Sequence, residues 1–141
     1  MNEAGSETVH ATAVARDGRA VLLFGQSGAG KSDLALRLID RGWVLVSDDY
    51  TVVRRTGAVA IATPPATIAG RMEVRGIGIV AMPHVASVPV ALLCDLGEAV
   101  VRMPDAAERS IAGVMLPCIA LAAFEASAPI KLELALARIA S

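Results

Sequence analysis

The stretch GQSGAGKS, residues 25–32, stands between an apolar run at 20–24 (AVLLF) and a segment of helical periodicity that opens at Lys31. It has the spacing G-x-x-x-x-G-K-S. Its glycines let successive backbone N–H groups turn inward around phosphate oxygens, and the following helix adds its positive end. Gly25, Gly28 and Gly30 supply that freedom, and Gln26, Ser27 and Ala29 complete the loop. Lys31 is placed to reach the β and γ phosphates of a nucleoside triphosphate, and the Ser32 hydroxyl to sit on a magnesium ion. A plain glycine-rich turn is the competing reading, and the complete motif between strand and helix outweighs it.

Outward from the loop, Leu34, Ala35, Leu38 and Ile39 share one face of a helix over residues 31–41, with Asp33 and Arg37 paired on the other. Gly42 supplies the left-handed residue that stops it. An apolar strand at 43–46 follows and ends in Asp48 and Asp49. Strand, loop, helix and strand make a βαβ unit, so the fold class is α/β. An acidic residue at such a strand end holds magnesium or its waters, which one carboxylate satisfies. The second is then free to act as general base on an incoming hydroxyl; an acidic turn capping the strand is the plainer alternative.

Upstream, alternation over 9–15 and the Asp-Gly pair in RDGR, residues 16–19, predict a hairpin leading into 20–24. Residues 1–7 read as a frayed end. Downstream, strands are expected at 50–54, 58–62, 77–82 and 88–93, with a helical turn at 65–69. A terminal helix is expected within 125–140, beginning near Ser127 or Pro129.

The chain has 141 residues, room for one domain, and carries 13 basic against 14 acidic residues, so no global field favours nucleic acid or an anionic membrane. Basic residues are scattered and aromatics make up only 3%, too few for base stacking along a strand of nucleic acid. Cys94 and Cys118 lie far apart in apolar sequence and read as buried thiols of a reducing cytosol, and the acidic start is unlike a signal peptide. Residues 76–94 lack charge over nearly the length of a membrane span. Pro83, His84 and Pro89 within them suit two buried strands joined by a turn, so no membrane association is expected.

GQSGAGKSDLALRLIDRGWVLVSDD resembles the loop, helix and double-aspartate segment of bacterial HPr kinase/phosphorylase, and MEVRGIGIV, residues 72–80, resembles that family's E-x-R-G-[IL]-G signature. The likeness sets a flexible N-terminus at 1–9 apart from a single catalytic domain over 10–141. The resemblance implies a form without the family's N-terminal domain, similar to alphaproteobacterial versions. It implies a P-loop variant of the phosphoenolpyruvate-carboxykinase-like type and phosphorylation by ATP, with Mg2+, of a serine on the phosphocarrier protein HPr. By the same resemblance Asp49 matches the proton acceptor, and Glu73 matches a second magnesium ligand beside Ser32, with Asp48 on the metal side of the pair. His10 matches an active-site histidine and Arg102, in VVRMPD, an active-site arginine, while Arg75 sits inside the signature.

One departure is chemical. Where the family has an R-P-G-R-N-like segment linked to removal of the phosphate, this chain reads AAFEASAPI, residues 122–130, without an arginine. Bringing phosphate against phosphoserine requires cations, so kinase activity is expected with phosphorylase activity weak or absent. A small-molecule kinase and a non-catalytic ATP-dependent sensor are the rival functions; the E-V-R-G-I-G segment disfavours the first, and the second would bind nucleotide without turnover. The family implies a cytoplasmic hexamer. The apolar terminal helix and the uncharged segment 110–124 independently suggest a homo-oligomer.

Overall fold

Period-two alternation governs the strands ahead of the glycine-rich loop. β1 (Ser6–Val9) bends at His10 into β2 (Ala11–Arg16), which turns into β3 (Arg19–Phe24). Ala11, Ala13, Ala15, Ala20 and Leu22 enter one core, while Val14, Val21 and Leu23 enter a second on the opposite face. A strand buried on both faces divides its side chains in this way. Asp17 and Gly18 join β2 to β3 with φ of 52° and 74°, the primed-turn geometry that Asp-Gly favours. This computed structural model describes residues 5–139, so the expected flexibility of residues 1–4 and the helical state of Ala140 lie outside it. Residues 6–9, expected to belong to a flexible end, are β1, laid antiparallel on β5 (Thr51–Thr56) from Ser6↔Arg54 to Val9↔Thr51.

After the loop, α1 (Lys31–Asp40) buries Leu34, Ala35 and Leu38 against the second core, leaves Ile39 half-buried, and is followed by Gly42 at φ 101°. Removing Leu34 and Leu38 from water contributes roughly 1.5–3 kcal/mol each. β4 (Val44–Ser47) pairs antiparallel with β2, which in turn pairs antiparallel with β3. β3 and β4 therefore run parallel with β2 between them, so the expected βαβ unit is split by an inserted strand.

The main sheet also takes in β6 (Val59–Thr63) and, after a separate hairpin of β7 (Arg71–Val74) and β8 (Gly78–Ala81), the long strand β9 (Val88–Asp95). Its order is β1-β5-β6-β9-β3-β2-β4. β10 (Glu108–Ile111) pairs with β11 (Val114–Ala120), which joins the end of β9 in parallel, and α2 (Ala128–Ala137) covers the second core with Leu132 and Leu136. Two helices packed with a largely antiparallel sheet make this a mixed α/β fold.

Two expectations change here. Residues 66–70 form turns with no helix, and residues 77–82 hold the exposed strand β8, with Ile77 78% and Ile79 65% exposed, instead of a buried one. Cys94 is buried and Cys118 half-buried, both are free, and burial pushes both thiols up from their ordinary range. Among the described residues no helix is long and apolar enough to cross a membrane.

Candidate active site

The glycine-rich loop leaves the end of β3 and closes on α1. Ala29 N donates to Gln26 O at 2.9 Å, and Leu34 N donates to Gly30 O at 2.9 Å. Gly28 and Gly30 have φ of 88° and 99°, values that penalise any side chain. At Gly30 space is closed as well, since a Cβ there would stand 2.8 Å from the Ala123 Cβ and 3.0 Å from the Phe124 ring. Gln26 and Ser27 are exposed at the tip. Lys31 is buried, and its ammonium folds back over the loop to donate to Gly25 O at 2.6 Å and Gln26 O at 3.3 Å. The loop thus brings glycine-bearing backbone, a fixed ammonium and a helix N-terminus to one place, an arrangement suited to several phosphate oxygens.

Asp48 and Asp49 follow β4 and face different partners. Asp48 is 8% exposed, and its Oδ1 accepts from the Ser32 hydroxyl at 2.8 Å and from Thr12 Oγ1 at 3.3 Å. Its Oδ2 accepts from the backbone N of Glu73 at 3.0 Å, which ties β7 to the site. Asp49 is exposed, takes the left-handed φ of 68°, and its Oδ1 lies 2.8 Å from His10 Nε2. The Asp49 N–H donates to Thr12 Oγ1 at 3.1 Å. His10 stacks on Tyr50, with ring centroids 4.9 Å apart and 22° between planes.

The structure therefore brings together Lys31, Ser32, Asp48, Asp49 and His10, with Glu73 beside them through its backbone. No group of three or more His, Cys, Asp or Glu side chains able to hold a metal occurs among the described residues. One hydroxyl and one buried carboxylate remain as donors, a sparse set that fits magnesium, which keeps several waters and takes the rest of its oxygens from phosphates.

Arg102 and Arg75 are not brought in: both are exposed, and neither makes a hydrogen bond or ion pair among the described residues. The cation that does reach the area is Arg109. A cleft of about 500 Å³ is lined by His10, Gly25, Gln26, Phe24, Asp95, Gly97, Glu98 and Arg109. The Arg109 guanidinium lies 4.9 Å over the Phe24 ring, its Nη2 is 3.6 Å from Asp95 Oδ2, and its Nη1 is shielded without a hydrogen-bond partner among the described residues. Sequence reading missed Arg109 and Thr12. The arginine's position depends on how β10 folds back, and a threonine within a strand carries no signal of its own.

The family model described as HPr Serine kinase C-terminal domain matches residues 2–87. An HPr kinase/phosphorylase of Clostridium botulinum is 42% identical over 72 residues, covering 51% of this chain and 24% of the relative. One of an Exiguobacterium species is 42% identical over 81 residues, covering 57% of this chain and 26% of the relative. The matches thus span about a quarter of the curated relatives' own length. Among solved structures, the Hpr(Ser) kinase/phosphatase from Coxiella burnetii superposes with a TM-score of 0.80 at 27% identity, covering 94% of this chain and 88% of that one.

Proposed function

Because the chain belongs to the HPr serine kinase C-terminal domain family, we propose that it is an ATP- and Mg2+-dependent protein kinase acting on a serine of the phosphocarrier protein HPr. The observation that carries this reading is the division between two adjacent carboxylates. Asp48 is buried on the Ser32 hydroxyl, while Asp49 is exposed on His10. In this reading the first would hold a cation and the second would meet an acceptor.

In this reading the P-loop, residues 25–32, takes the β and γ phosphates through its amides and Lys31. Ser32 and Asp48 would hold a magnesium ion, with Glu73 adjacent, and the ion would supply charge neutralisation at the phosphates. Asp49 takes the proton of the serine hydroxyl as its oxygen bonds to the γ phosphorus. The bond from that phosphorus to the β,γ-bridging oxygen breaks, and ADP leaves with the electron pair. His10 orients the Asp49 carboxylate. Positioning and electrostatics supply most of the rate. The reaction belongs in the cytoplasm.

The test mixes purified protein with ATP, Mg2+ and HPr and follows phosphoserine by mass spectrometry. Asp49→Asn is expected to lower kcat about 100-fold or more while leaving nucleotide binding intact. No phosphoserine with the wild type, or full activity in the variant, rejects the assignment.

Phosphorylase activity is expected to be weak. Residues 122–130 carry no arginine, Arg37 is committed to the carbonyls of Ala123 and Glu125, and Arg109 is shared with Asp95. Arg37 and Arg109 are thus engaged within the chain, which disfavours assembling phosphate against phosphoserine. Incubation of phosphoserine-HPr with millimolar phosphate should release little pyrophosphate; rapid release would overturn this part.

A further inference from the structure

The chain has one Trp, one Tyr and two Phe, and their places are unequal. Trp43 is buried, Phe24 lies half-buried beneath Arg109, and Tyr50 stacks on His10. Phe124 is 69% exposed and has no aromatic partner among the described residues. An exposed phenyl ring loses the favourable transfer out of water that an apolar side chain otherwise gains. This one is nevertheless held firmly at the phosphate loop.

Three contacts hold it. Arg37, on α1, donates to the carbonyls of Ala123 and Glu125, on either side of Phe124, and is itself paired with Asp33 at 2.9 Å. Ala123 is buried, so the segment is anchored from below. The ring edge then meets Gly30, where Cζ stands 3.0 Å from the position of a Cβ.

Strand order gives the direction. β4, which delivers the aspartates, and β11, which delivers Phe124, lie on opposite sides of β3, the strand that feeds the loop. If the γ phosphate is transferred at Asp49, the rest of the nucleotide leaves the loop on the other side. On that side the Phe124 ring is exposed and also meets the loop at Gly30.

We propose that Phe124 is the platform on which the nucleotide base stacks, making residues 122–125 a base subsite that Arg37 positions against the P-loop. This rests on the triphosphate reading above. A flat ring accepts any purine face, so the platform adds affinity for a nucleoside triphosphate over a bare polyphosphate without selecting the base by hydrogen bonds.

The experiment compares two ligands, ATP and inorganic tripolyphosphate, each with Mg2+, by calorimetry. Phe124→Ala is expected to weaken ATP binding about tenfold and leave tripolyphosphate binding unchanged. Phe124→Trp should keep ATP affinity, and its emission should be quenched by ATP and not by tripolyphosphate, with Trp43 in the wild type giving the background. Equal weakening of both ligands in Phe124→Ala would mean that the ring only shapes the loop, and overturns the platform. Unchanged affinity for both places the base elsewhere and leaves Phe124 to a protein contact, which overturns the platform as well. A wild type that binds tripolyphosphate but gains nothing from the base defeats the platform alone, whereas one that binds neither ligand defeats the triphosphate reading and the platform with it.

Discussion

Thr12 shows what a single hydroxyl does at this site. Fully buried in β2, it donates to Asp48 Oδ1 and accepts the backbone N–H of Asp49, so one atom holds both aspartates in place. Asp49 needs that support, because a non-glycine residue at φ 68° carries about 1–3 kcal/mol of strain. Thr12→Val keeps the shape and removes both bonds. It should cost about 1–3 kcal/mol in urea unfolding, because a shielded N–H loses its acceptor. In the kinase assay kcat should fall by a larger factor than the KM for ATP changes, and Thr12→Ser should restore much of it. An unchanged urea midpoint together with unchanged kcat would show that the hydroxyl does neither job. Lys31, Ser32 and the aspartate pair were legible because their spacing is local and their chemistry needs those residue types. Thr12 and Arg109 were not, because their roles arise from strand register and from a distant chain return.

Element by element, legibility followed burial. α1 was readable from its apolar face and its glycine stop, and β3 from a run buried on both sides. β1 and β7 were missed: each has four residues and exposed positions that break the pattern, and β7 lies inside a motif read for chemistry. β11 contains Pro117, which argues against an interior strand. It is tolerated because pairing with β9 begins only at Cys118. α2 was expected from composition, yet its docking depends on Glu133, whose carboxylate bonds Arg41 at 2.6 Å and 3.0 Å and Trp43 Nε1 at 3.1 Å, and pairs with Arg16 at 3.0 Å. The Arg41 hydrogen bonds, helped by Trp43 and the Arg16 charge and opposed by burial, hold its pKa below the ordinary 4.5. A carboxyl depressed on folding stabilises fully above its unfolded value and loses that contribution as pH falls through the folded one. Glu133→Gln should therefore lower Tm at neutral pH, and its deficit should shrink as pH drops below about 4.5. A deficit that stays constant down to about pH 3 would show that the charge is not what docks the helix.

At the scale of the whole molecule, two cores sandwich one sheet, and the site forms where the ends of β3 and β4 meet the β7–β8 hairpin. That arrangement leaves apolar side chains outside both cores. On α2, Ile130 and Leu134, one helical turn apart, are 46% and 62% exposed, and on β11 Met115 is 56% exposed. Apolar residues i and i+4 on a helix cover one continuous stripe, which a monomer would leave in water. The sequence-based expectation of self-association thus acquires a surface, and the structural reason is that α2 turns Ala128, Leu132 and Leu136 into its own core and leaves Ile130 and Leu134 outside it. Leu134→Glu should lower the mass seen by multi-angle light scattering while leaving Tm close to the wild type, since the side chain supports nothing inside the chain. A wild type that is monomeric at micromolar concentration would remove the stripe as an interface. An oligomer that survives Leu134→Glu would move the contact elsewhere, with the exposed Ile77 and Ile79 of the β7–β8 hairpin as the next surface to alter.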